Sequence, residues 1–216
     1  MPATRPPAVL FDLDGTLIDS IELILNSARH AFDGRENVPS EAEWLAGVGT
    51  PLATMFRKYT SNEAEVEALI ARYREYQLPN HDRLVRPYPG VVETVRELHG
   101  AGHPLGIVTS KTEVLAKRGI DLVGIARFFD VVVGVDSTTK HKPDPAPVLA
   151  ALRSLDRRPD EAFFVGDSVH DMLAGKAAGV VTIAALWGPF GRADVAPGGP
   201  THYLEEISGL GALLKG

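Results

Sequence analysis

No cysteine occurs among the 216 residues, which excludes disulfides and thiolate metal sites and fits a reducing compartment. Basic residues are also in deficit. The 22 Lys+Arg stand against 28 Asp+Glu, for a net charge of -6, so the basic face of a general nucleic-acid binder is missing. No uninterrupted apolar run approaches the roughly 20 residues that span a bilayer. The opening Met1-Pro2-Ala3-Thr4-Arg5-Pro6-Pro7 lacks the apolar region of a secretion signal. Internal repeats and low-complexity tracts are absent as well. These gaps predict a cytoplasmic protein with neither membrane nor nucleic-acid partners.

What the chain does contain is 44% hydrophobic residues, enough for one sizeable core and a smaller insert. The stretch Val9-Leu10-Phe11-Asp12-Leu13-Asp14-Gly15-Thr16-Leu17 runs from strand-forming residues to two carboxylates and then a glycine. Positions i and i+2 of a strand share a face, so Asp12 and Asp14 can converge where that strand ends. Two close carboxylates repel unless a proton or a cation sits between them. Taken alone, the pair is equally well read as an Asp-Gly turn.

Residues 19–86 read as mostly helical. A capping box at Asp19 and Glu22 introduces a helix over Ile21 to Phe32, and Ser40 with Glu43 introduces a second. Further helices are expected over Leu52 to Tyr59 and from Ser61 to about Gln77. Beyond Tyr88 the pattern alternates. Strands are expected at Leu105–Val108, Val131–Val133, Ala162–Val165 and Val180–Ala184. Helices fall between them, one capped by Asp144 ahead of Pro145 and another by Ser168. A Gly- and Pro-rich loop over 187–200 should precede a final helix near Leu204 to Leu214. The fold class is therefore α/β, a doubly wound, Rossmann-like parallel sheet core (residues 1–18 and 87–216) with an inserted helical subdomain (19–86).

In such a sheet, ligands bind beyond the carboxyl ends of the strands. Asp12 and Asp14 follow the first strand, Thr109-Ser110-Lys111 the second, Lys140-His141-Lys142-Pro143 the third, and Gly166-Asp167-Ser168-Val169-His170-Asp171 the fourth. Carboxylates from two strand ends and hydroxyls or lysines from two others suit phosphoryl transfer. Thr109, Lys142 and backbone N–H groups can hold a phosphate. Carboxylates facing an anionic substrate need a hard cation, and oxygen ligands point to magnesium, Mg2+. A carboxylate can then serve as nucleophile.

Asp12-Leu13-Asp14-Gly15-Thr16-Leu17, Thr109, Lys142-Pro143-Asp144-Pro145 and Gly166-Asp167 with Asp171 together resemble, in order, the four motifs of the haloacid dehalogenase superfamily, in its phosphatase branch. The resemblance implies that Asp12 is the nucleophile and Asp14 the general acid/base. It implies that Thr109, Ser110 and Lys142 hold the phosphoryl oxygens. Magnesium would be held by Asp12, Asp167 and the backbone carbonyl of Asp14, with Asp171 mostly indirect. The helical insert matches the family's small α-helical cap, in which Gly49-Thr50-Pro51-Leu52 resembles the element facing the active site of phosphoglycolate phosphatase-like proteins. Asn80-His81-Asp82-Arg83-Leu84-Val85 resembles a segment near the cap-to-core hinge of bacterial pyrophosphatases in the same branch. Dehalogenases lack the second carboxylate, so a phosphatase is expected.

The substrate expected is a small-molecule phosphate compound, a phosphoglycolate-like monoester first and inorganic pyrophosphate second. A sugar phosphomutase is a further alternative, and a phospho-accepting receiver domain a remote one, disfavoured by the insert and by Asp14. Either a monomer or a homodimer is compatible with the sequence. Lys111 reads equally as an anion contact or a first-turn helix residue, and His170 as a surface residue.

Overall fold

The computed structural model describes residues 5–214. Among the described residues eight strands occur in chain order: β1 (Ala8–Phe11), β2 (Ile18–Asp19), β3 (Arg86–Pro87), β4 (Leu105–Val108), β5 (Val131–Val133), β6 (Ala162–Gly166), β7 (Val181–Ala185) and β8 (His202–Leu204). Six of them form one parallel sheet in the order β5-β4-β1-β6-β7-β8. β1 is the topological switch point, because the chain builds outward from it first on one side and then on the other. All four of its residues are buried, as expected of a strand covered on both faces. Val9 and Phe11 pack into one hydrophobic layer, Ala8 and Leu10 into the opposite one, which is the period-2 alternation of a strand.

Helices α1 (Ile21–Phe32), α2 (Glu41–Leu45), α3 (Leu52–Phe56) and α4 (Glu63–Leu84) lie between β2 and β3. They gather around their own cluster, which includes Phe32, Trp44, Phe56, Leu69 and Tyr73. The chain leaves the sheet through β2 and returns through β3, and these two short strands pair antiparallel, Ile18 with Pro87 and Asp19 with Arg86. Helices α5 (Val91–Gly100), α6 (Glu113–Leu122), α7 (Ala146–Ser154) and α8 (Val169–Ala178) flank the sheet, followed by the short α9 (Arg192–Val195) and α10 (Leu210–Leu213). None of the described helices is long and apolar enough to cross a membrane.

Several local details depart from the sequence pattern. Ser20, not Asp19, precedes α1, and its hydroxyl bonds Asp14 instead of capping the helix. Asn62 caps α4 in place of Ser61. That helix also passes Gln77 and Pro79 to reach Leu84, because Tyr73, Gln77 and His81 are all buried on one face. Two of those three are polar, so periodicity in hydrophobicity could not extend the helix. The segment near Leu204 begins as strand β8, not helix, since it completes the sheet edge beside β7.

Candidate active site

Each polar segment expected at a strand end does reach the same rim. The Asp12 N–H donates to the Val165 carbonyl (2.9 Å), which fixes the chain where β1 meets β6. Asp12 is 3% exposed, and its Oδ1 accepts from Lys142 Nζ at 2.8 Å. The same ammonium donates to Asp171 Oδ1 at 2.6 Å. Burial opposes the Lys142 charge, but Asp12 and Asp171 outweigh it and hold the pKa above its usual value. Burial also pushes the Asp12 carboxyl up, to about 7, with Lys142 opposing the rise and Asp171 adding to it.

Asp14 occupies a different environment. Its carboxylate accepts from Lys111 Nζ and from the Ser20 hydroxyl. Lys111, read two ways from sequence, is thus a buried ion-pair partner of the second carboxylate. Thr109 is buried, and its Oγ1 accepts the Lys111 N–H at 3.2 Å. The Ser110 hydroxyl donates to the Gly49 carbonyl at 2.6 Å, joining the sheet rim to the loop between α2 and α3.

Asp12, Asp167 and Asp171 can place one carboxylate oxygen each within 4.8 Å of one another, all three buried. The Asp14 side chain is not in this group, since Lys111 and Ser20 draw it elsewhere. Asp171 is engaged through both oxygens. Oδ1 accepts from Lys142, and Oδ2 accepts from the Ser168 N–H (3.0 Å) and hydroxyl (2.6 Å) in a capping box that starts α8. Asp167 Oδ1 accepts from the Thr16 hydroxyl at 2.8 Å, while its Oδ2 is buried without a hydrogen-bond partner among the described residues. Burial, then the charges of Asp12 and Asp171, push the Asp167 carboxyl well above its usual value. An orphaned carboxylate oxygen among hard oxygen donors is the environment that a small divalent cation fits.

Glycine at position 15 is demanded by this arrangement. Its φ is +85°, and a Cβ there would collide with the Asp167 carboxylate. Trp187 Nε1 donates to the Thr16 carbonyl at 2.8 Å, tying the same loop to the segment after β7.

Asp12, Asp14, Thr109, Ser110 and Lys111 open on a cavity of about 70 Å³ that α1, α3, α4 and the intervening loop roof over. Gly49, Thr50 and Leu52 are among its lining residues, so the segment singled out in the sequence does face the rim. Sequence reasoning missed Tyr73, Arg74 and Gln77, which approach from α4. Their i, i+1, i+4 spacing carried no signal, because nothing in it says which helix face meets the sheet. His170 is half-buried against the Gly49 loop, not a free surface residue, and its Nδ1 has no partner among the described residues.

The model of the haloacid dehalogenase-like hydrolase family matches residues 9–185. A pyrophosphatase PpaX from Bacillus cereus is 41% identical over 212 residues, covering 98% of this chain and 97% of the relative. Among solved structures, a haloacid dehalogenase-like hydrolase from Streptococcus pneumoniae superposes with a TM-score of 0.84 at 28% identity, covering 97% and 99% of the two chains. A protein described as a predicted phosphoglycolate phosphatase, from Haemophilus somnus, has a TM-score of 0.85 at 24% identity, covering 98% and 99%, a likeness of fold.

Proposed function

The chain belongs to the haloacid dehalogenase-like hydrolases, among their phosphatases, and from that premise we propose that it is a magnesium-dependent phosphohydrolase acting on inorganic pyrophosphate through an aspartyl-phosphate intermediate. The observation that carries this reading is the Lys142–Asp12 contact of 2.8 Å beside Asp14, with both carboxylates opening on one small cavity. Pyrophosphate moves ahead of phosphoglycolate-like monoesters because the PpaX relative matches nearly the full length at 41% identity.

In the first step an Asp12 oxygen attacks phosphorus and the bond to the leaving oxygen breaks. Asp14, as general acid, passes a proton to that oxygen. In the second step Asp14 removes a proton from water, whose oxygen attacks the phosphorus of the acyl phosphate. The phosphorus–oxygen bond to Asp12 breaks, releasing phosphate and regenerating the carboxylate. Lys142 orients Asp12 and, with Thr109 and Ser110, holds the phosphoryl oxygens. Asp12, Asp167 and the Asp14 carbonyl would hold magnesium, with Asp171 behind them, and the cation would neutralise phosphoryl charge in the site.

A panel of pyrophosphate, phosphoglycolate and sugar phosphates, assayed for phosphate release with and without magnesium, tests the reading. Pyrophosphate is expected to show the highest kcat/KM, and release should stop on chelation. No magnesium-dependent release from any of the panel would sink the proposal.

A further inference from the structure

Two cations line the cavity over Asp12 and Asp14, and their situations differ. Lys111 is paired with Asp14. Arg74 has no ion-pair partner among the described residues. Its Nη1 donates instead to the Oε1 of Gln77, a neutral amide that is 3% exposed. Positions 74 and 77 lie on neighbouring parts of one helix face, so Gln77 holds the guanidinium without neutralising it. Burial pushes the Arg74 pKa down, with Tyr73 and Asp14 opposing that fall. A half-buried guanidinium without a counter-ion is costly, and its planar fork matches carboxylate and phosphate oxygens.

We propose that Arg74 sets the specificity of this site by receiving a second anionic group on the substrate, while the first, a phosphoryl group, faces Asp12. The cavity, about 70 Å³, is far below the roughly 300–1,000 Å³ of pockets for drug-sized ligands, so the second anion lies within a few bonds of phosphorus. The chemistry shared by acceptable substrates is a phosphoryl group joined through a short bridge to a phosphate or a carboxylate. Pyrophosphate supplies the first, phosphoglycolate the second. The inference rests on the phosphatase reading above, and it adds which residue selects the compound.

The test compares wild type, Arg74→Gln and Arg74→Lys on pyrophosphate, phosphoglycolate and methyl phosphate, which has no second anion. Loss of one charge-assisted contact lowers kcat/KM of Arg74→Gln about 10- to 100-fold on the doubly anionic substrate, chiefly through KM, and at most about threefold on methyl phosphate. Arg74→Lys recovers part of the loss. Whether pyrophosphate or phosphoglycolate suffers more identifies the natural second anion. Equal falls on all three substrates, or none on any, would overturn the assignment. If wild type hydrolysed nothing, the phosphatase reading would fail separately. Calorimetric binding of methylenediphosphonate, a non-hydrolysable diphosphate, then decides. Binding at least about tenfold weaker in Arg74→Gln supports the role of Arg74, and equal binding removes it.

Discussion

The two hydrophobic regions of the molecule are made from different side chains. Around the sheet the buried residues are chiefly aliphatic, with Val9, Ile107, Val165 and Ile183 on one face. The helical layer adds a cluster of packed rings to its aliphatic residues. Trp44 packs against Phe56 at 5.0 Å between ring centroids and against Phe32 at 5.7 Å, with Tyr59 and Tyr73 around them. Parallel strands need branched residues on both faces, and their ends are left free to carry polar groups. Between the long α1 and α4 only the two five-residue helices α2 and α3 close the layer, and large rings fill the space with few residues. The sheet therefore holds its charges in internal pairs, Lys142 with Asp12 and Asp171, whereas the helical layer brings Arg74 to the cavity with no carboxylate of its own. The groups proposed to react and the group proposed to select thus belong to different packing units.

Asp12→Asn is the sharpest way to separate chemistry from stability at the sheet. Turnover should fall about 10⁴-fold or more, while circular dichroism stays native. Because burial raises the Asp12 pKa from 3.8 to about 7, ionising this carboxyl costs the folded state. In metal-free buffer the wild type should lose stability relative to Asp12→Asn as pH climbs from about 4 to about 7, and the gap should then level off. A gap that shrinks over that interval would contradict the burial argument.

Trp44→Ala attacks the other region. Truncating this fully packed indole should cost about 3–5 kcal/mol, read by denaturant unfolding. Amide exchange should accelerate in α1–α4 more than in β1, β4 and β6. Equal acceleration throughout would show one cooperative unit and erase the comparison. Gly49→Ala probes the seam between the regions. Its φ is +96°, and a Cβ would lie 2.8 Å from Ser168 Oγ, so the expected cost is about 1–3 kcal/mol. Removing the Ser110 hydroxyl with Ser110→Ala should cost about 1 kcal/mol. Both variants should raise KM a few-fold, and an unchanged KM in both would mean that the seam has no part in substrate capture.

Much of the fold was legible because parallel strands write themselves as short apolar runs, and the rim because strand ends are fixed once strands are placed. Asp12, Thr109, Lys142 and Asp167 are placed at that rim by their order along the chain. The pairing of Lys111 with Asp14 was not legible, because side-chain direction decides it and residue type does not. Arg74 lay in a helix of weak amphipathic contrast, where buried Gln77 and His81 broke the apolar pattern that would have revealed its inward face. β8 was missed for a related reason. Its partner Ile183–Ala185 lies on the strand before it, and only that pairing makes His202–Leu204 extended.

The antiparallel pair of β2 and β3 has an architectural consequence. Since the chain departs and re-enters at adjacent points, the helices between them are an excursion whose ends meet. Their length and sequence can change without altering strand order or register anywhere in the sheet. Residues 20–85 are in that sense an exchangeable cassette. Grafting the matching segment from a relative of different substrate preference requires that its two ends be paired as Asp19 and Arg86 are here and that its contacts with Asp14 and Ser110 at the rim be matched.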